Sequence, residues 1–392
     1  MAETAGLLQK TLMYRLPKGI RAAFYLVMAL FPLLFIGMGY QRETGFTGLI
    51  YFGSDFQSRQ LSNIQNIPKA IHPGSGYDGQ FYAQVAQDPL LSDPQLLTAL
   101  DNPSYRARRI IIPALSYLTG LGQPAWILET YALINLPFFW LLIYIVYRFL
   151  RPETVQTFLG MAALLTTTGI VASLSRALLD LPAAVFLLMA VISSPAALSS
   201  LFLLLAVLSK EVSIIALPFI YFPESFQKTA VLGVLRKAAG VMVPLIAWLA
   251  YVAWRLPGGD FAGLQNFNWP FVSIVGHLGD MAALLGGAGS LEAAAEILVT
   301  LTLLVQGAYI LTKPRLKSPL WRLGAAFLLL YLILGPAVMA EQLAYTRAAL
   351  PLTLAFNLLI VEEVPAKFAF WFITGNAGIY AGLGAAFLKM IK

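Results

Sequence analysis

Apolar residues in this chain gather in long blocks, separated by short stretches that are polar or basic. Crossing about 30 Å of hydrocarbon takes roughly 20 helical residues. On that measure spans are expected at 20–40, 126–147, 155–174, 178–192, 231–254, 291–311, 323–340, 344–361 and 368–388. Two shorter apolar stretches, 197–208 and 212–222, are split by Lys210-Glu211 and read as a tilted hairpin with a charged tip. The pattern predicts an all-α polytopic membrane protein with about eleven spans, forming a single transmembrane domain over 1–392. No internal repeat is visible, inverted or parallel.

The basic residues orient these spans. Lys10, Arg15, Lys18 and Arg21 precede the first one and put the N-terminus in the cytoplasm, and Arg148 and Arg151 mark a return to that side. The first loop, 41–105, is then extracytoplasmic, as is a second loop at 255–290 rich in Gly and aromatics. Lys389 and Lys392 fall outside on this count, against the charge rule. Asp101-Asn102-Pro103 reads as a helix start, with a capping side chain and a proline in the first turn. The helix beyond it, 104–118, carries Arg106, Arg108 and Arg109 and is interrupted by Pro113, so it is expected to lie on the outer surface of the membrane.

Composition agrees with the block pattern. The chain is 59% hydrophobic and 11% charged, where a soluble domain carries roughly 25% charged residues. Its mean hydropathy is +0.75. The net charge of +7 is what cytoplasmic loops facing anionic lipid produce, and calls for no nucleic acid. Without Cys there is no disulfide framework, thiol nucleophile or Cys-bound zinc. The polar, basic start followed by an apolar block lacks a small-residue cleavage pattern, so no cleavable signal peptide is expected.

Candidate chemistry lies where ionisable residues collect. In this topology Asp78, Arg176, Asp180, Lys210, Glu211, Glu341 and Arg347 all fall near the outer boundary. Ionisable groups cost up to about 2.5–3.5 kcal/mol each at the bilayer centre, so their shared side invites a reading as the lining of one outer cavity. The blander reading is a set of interface residues that snorkel or pair with one another.

The stretch Gly76-Tyr77-Asp78-Gly79-Gln80-Phe81-Tyr82 resembles the acidic first-loop motif of the GT-C superfamily of membrane glycosyltransferases. The nearest pattern is the Trp-Asp-x-x-x-aromatic motif of the GPI second-mannosyltransferase branch, with Tyr77 in place of the tryptophan. Ser209-Lys210-Glu211 resembles the charged hairpin tip of that superfamily, and Tyr345-Thr346-Arg347 followed by Leu350-Pro351 its late aromatic-x-Arg-x-x-x-Pro segment. The resemblance implies a GT-C-like bundle in a bacterial cytoplasmic membrane. It also implies inverting transfer of a sugar, at the outer face, from a polyprenyl-phosphate donor to an acceptor hydroxyl. Asp78 is then the general base, with Asp55, which lies sooner after the first span, as the alternative. Arg347, Lys210, Arg106 and Arg109 are candidates for the donor phosphate, and Tyr77, Gln80, Tyr82, Asp180, Glu211 and Tyr345 for the substrates.

No cofactor is implied. A divalent cation held by His72 or His277 with Asp55 or Asp260 is the weaker possibility, because the spacing of two histidines carries little information. Three other functions compete: a lipid or solute transporter or flippase, a non-catalytic assembly subunit, and a ligase or polymerase using pyrophosphate-linked glycans. A transporter is expected to show repeats and charges spread through the membrane depth.

Overall fold

The computed structural model describes residues 2–223, 227–257, 263–287 and 289–391, so Asp260 and part of the expected second loop lie outside it. Among the described residues the fold is all-helical apart from two two-residue strands, Phe52–Gly53 and Ile71–His72, paired in parallel. The chain is a helical membrane protein. Among the described residues four helices are long and apolar enough to cross a membrane: Lys18–Gly39, Pro124–Leu150, Lys228–Arg255 and Ser290–Thr312. The most apolar window of Lys18–Gly39 is only 17% buried and that of Lys228–Arg255 only 11%. Leu34, Val243 and Ile246 stand exposed on these helices, a surface suited to lipid and not to water.

Where eleven spans are expected, the described residues give four to six candidates. Two of them are bent pairs, Val155–Leu165 with Thr168–Ser175 (46°) and Gln342–Ala348 with Leu350–Ile360 (59°), which brings the candidates to six if each pair is one span. The blocks at 178–192 and 197–208 form the 13- and 14-residue helices Asp180–Ile192 and Ala196–Ser209, too short to cross alone. The block at 323–340 is the helix Pro319–Leu332, which stops before a separate turn at Pro336–Met339. Pro365–Ile391 is long but falls outside the apolar set; it carries Asn376 and several glycines.

The chain forms two compact units. The first comprises Met1–Leu30, Leu142–Ile170 and Gly263–Lys392. Its centre is the pairing of Ser290–Thr312 with Pro365–Ile391, and of Pro319–Leu332 with Leu350–Ile360. Gly378 N–H donates to Thr302 Oγ1 at 3.0 Å, which draws the first pair together. Small residues at such a crossing let two backbones approach where no hydrophobic force from water drives them. Part of the expected second loop is in fact a helix, Val272–Ala283.

The second unit comprises Phe31–Leu141 and Val171–Ala262. The expected first loop folds within it as short helices: Thr47–Ile50, Ser54–Arg59, Ser62–Gln65, Gly79–Val85, Leu96–Ala99 and Pro103–Ala107. Asn102 caps the last of these by accepting from Tyr105 N–H at 3.3 Å, with Pro103 in the first turn, as the sequence predicts. The single surface helix expected over 104–118 is instead two helices, Pro103–Ala107 and Ile111–Thr119. Proline lacks an N–H and clashes with the carbonyl four residues back, so Pro113 sits in the first turn of a new helix. Ile112, Pro113 and Ser116 of that helix are buried, not laid on a surface.

Candidate functional site

Gly76 and Gly79 shape the Asp78 segment. Gly76 has φ +68°, and a Cβ there would come within 2.4 Å of Gly53 N and 2.5 Å of Tyr51 O. A Cβ on Gly79 would lie 2.8 Å from the carbonyl oxygens of both Arg176 and Ile50. Both glycines therefore let the chain pass where a larger residue would meet backbone. Asp78 occupies the N-cap position of Gly79–Val85 but makes no capping hydrogen bond with its side chain.

The Asp78 carboxylate turns to Arg106 instead, with Oδ1 2.9 Å from Nη1, and remains 31% exposed. Arg106 is itself buried, and its Nε and Nη2 hold both oxygens of Asp101 at 2.7 and 2.6 Å. Arg109 makes the same kind of fork with Glu211, at 2.6 and 2.7 Å. Burial alone would raise the Glu211 carboxyl, but the Arg109 charge and its hydrogen bonds hold it below the ordinary value. Two parallel charge-assisted bonds fix orientation as well as pairing.

Tyr82 ties the two forks together. Its hydroxyl accepts from Arg106 Nη1 at 3.1 Å and from Arg109 Nη1, and burial pushes its ionisation far up despite both cations. Arg109 Nη2 also donates to Tyr105 Oη at 2.7 Å, while its guanidinium lies 4.7 Å from the Tyr105 ring centre. Lys210 pairs with the buried Asp180. Arg176 lies 4.3 Å from the Tyr77 ring centre and 5.3 Å from that of Tyr51. The second unit thus joins Asp78, Asp101, Arg106, Tyr82, Arg109 and Glu211 in one network, with the Tyr77–Arg176 pair beside Asp78 in sequence.

Several expected contacts turn inward. Gln80 is fully buried and satisfies backbone, accepting from Gly53 N–H at 3.0 Å and donating to Ser75 O at 2.7 Å. Tyr82 is 1% exposed, so its ring offers no face to a sugar. Tyr345, in the first unit, is buried beside His277 with ring centres 5.5 Å apart, and its hydroxyl meets Thr300. Arg347 belongs to the same unit and donates from Nε to Leu343 O at 2.9 Å. Asp55 is exposed on Ser54–Arg59.

His72 stacks on Tyr51 at 3.8 Å, and His277 lies 3.7 Å from Glu296. Among the described residues no three His, Asp or Glu side chains group as a metal site. Asp101, legible in sequence only as part of a helix start, is a partner of Arg106, and Arg176 backs Tyr77. An acid five residues before an arginine is too common a spacing to signal the first. Comparison of the chain with family models, curated proteins and solved structures finds no match.

Proposed function

We propose that this protein is a GT-C-type glycosyltransferase of the bacterial cytoplasmic membrane, using a polyprenyl-phosphate sugar at the outer face. The observation that supports it is the Asp78 carboxylate, partly exposed and aimed by a buried arginine that a second acid holds. A base positioned in this way can take the proton of an acceptor hydroxyl as that oxygen attacks the anomeric carbon. The bond to the lipid phosphate breaks on the opposite face, and configuration inverts.

The roles of the cations shift within this reading. Arg106 and Arg109 are occupied by carboxylates, so they hold Asp78 and Tyr82 in place instead of receiving the donor. Lys210 in its pair with Asp180 does the same for the 210–211 turn. Tyr77, paired with Arg176, remains the proposed partner of the sugar.

The pairing of acids with bases favours one rival, a non-catalytic subunit whose loop is simply locked. Purified protein incubated with labelled polyprenyl-phosphate sugars separates the two by release of the carrier lipid. No release with any donor, from protein that is folded and monodisperse, removes the catalytic reading.

A further inference from the structure

A second cationic site lies in the first unit, apart from the residues just described. The start of Lys18–Gly39 and the end of Asn135–Leu150 border a cavity of about 520 Å³. Lys18, Arg21 and Tyr25 are spaced three and four residues apart, which puts them on one face of the first helix. Arg148 and Arg151 come from the second helix. The lining therefore has four cations and a single carboxylate, Glu153, which Arg15 engages at 3.5 Å.

The cavity is built by specific backbone pairing. Leu16 N–H donates to Glu153 O at 2.9 Å and Val155 N–H to Tyr14 O at 3.1 Å, joining the segment before one helix to the segment after the other. Arg151 N–H closes the last helical turn on Tyr147 O at 2.9 Å, with Arg151 itself at φ +43°. Helices commonly end on a left-handed residue, and it is usually glycine. Here the position carries a long cation that faces the cavity.

The Tyr25 hydroxyl, in the cavity wall, is buried with no hydrogen-bond partner. Such a donor invites an acceptor from outside the chain. Ile20, Leu26, Val27 and Tyr144 stand exposed on the same two helices, so an apolar surface continues from the cationic rim.

We infer that this cavity binds a phosphate-bearing anion, with the phosphate among Arg21, Arg148 and Arg151 and the Tyr25 hydroxyl donating to one of its oxygens. Guanidinium forks match phosphate oxygens, and basic pockets between membrane helices take lipid headgroups. The exposed apolar helix surface favours an anionic phospholipid as the source, with its acyl chains along the helices. A soluble phosphate compound would supply the same chemistry.

Native mass spectrometry of the delipidated full chain in detergent tests this with phosphatidylglycerol, phosphatidylcholine and inorganic phosphate as probes. Two variants remove pocket charge from opposite helices, Lys18→Gln/Arg21→Gln and Arg148→Gln/Arg151→Gln. A third, Lys228→Gln/Arg236→Gln, removes equal charge from positions outside the lining. Thermal midpoints of all three establish that they fold. Both pocket variants should lose phosphatidylglycerol binding by about tenfold or more, and the third should keep it. If inorganic phosphate shows the same dependence and phosphatidylglycerol does not, the site stands and its ligand is soluble. Equal loss in all three, or loss in none, means that a diffuse basic surface attracts lipid, and the proposal is overturned.

Discussion

Arg106 reaches Asp78 with one nitrogen, at 2.9 Å, while its other two hold Asp101. The acid singled out in the first loop is thus oriented by a cation that does not depend on it for its own burial. That asymmetry makes the site testable by single substitutions.

Asp78→Asn leaves Arg106 its fork with Asp101, so the fold should survive with a loss of about 1 kcal/mol, the scale of a partly exposed pair. Turnover should fall about 10²–10⁴-fold if Asp78 is the base. Asp55→Asn, at an exposed position, should retain far more activity. The reverse ranking at matched abundance would move the base to Asp55.

The fork between buried Arg109 and half-buried Glu211 has a pH signature. The folded carboxyl of Glu211 titrates below its ordinary 4.5, because Arg109 outweighs burial. A group depressed on folding contributes stability that is present above 4.5 and lost as pH falls through its folded value. The thermal midpoint should therefore drop as the pH is lowered below that point, and Glu211→Gln should flatten the drop. Glu211→Gln alone should cost about 1–3 kcal/mol by leaving the Arg109 charge without its carboxylate, while Arg109→Met/Glu211→Leu should recover most of it. An unshifted midpoint in the single variant would show that the pair carries no stability.

Gly79→Ala tests the packing beneath Asp78. Its Cβ would press on two backbone carbonyls at 2.8 Å, and overpacking of this kind costs about 1–3 kcal/mol. Gly276→Ala has open space around it in the helix Val272–Ala283 and should stabilise by up to about 1 kcal/mol. Opposite signs in the two thermal midpoints are expected, and a neutral Gly79→Ala would contradict the close contact.

Sidedness can be read with a single thiol, because the chain has no Cys. Ser75 is exposed three residues before Asp78. In intact cells Ser75→Cys should react with a membrane-impermeant maleimide from outside. Labelling only after the cells are opened would place the segment in the cytoplasm and end the outer-face reading.

The block pattern by itself determined the class of protein: helical, membrane-bound, with the long apolar helices Lys18–Gly39, Lys228–Arg255 and Ser290–Thr312 legible to within a few residues. Hydropathy sufficed because the bilayer acts on composition and length, which are local quantities. The start at Asp101-Asn102-Pro103 was equally local, a cap and a proline acting within one turn. Whether an apolar block is one span or two short helices was decided by the tertiary structure. A 59° bend before Leu350 sets two helices where the apolar count expects one span. The same holds for the charges. Sequence spacing placed Arg106 and Arg109 together, but only the fold set Asp101 and Glu211 against them, the latter from 102 residues away. An ion pair needs geometry across the chain, and that geometry sets both arginines against carboxylates and the Tyr82 hydroxyl.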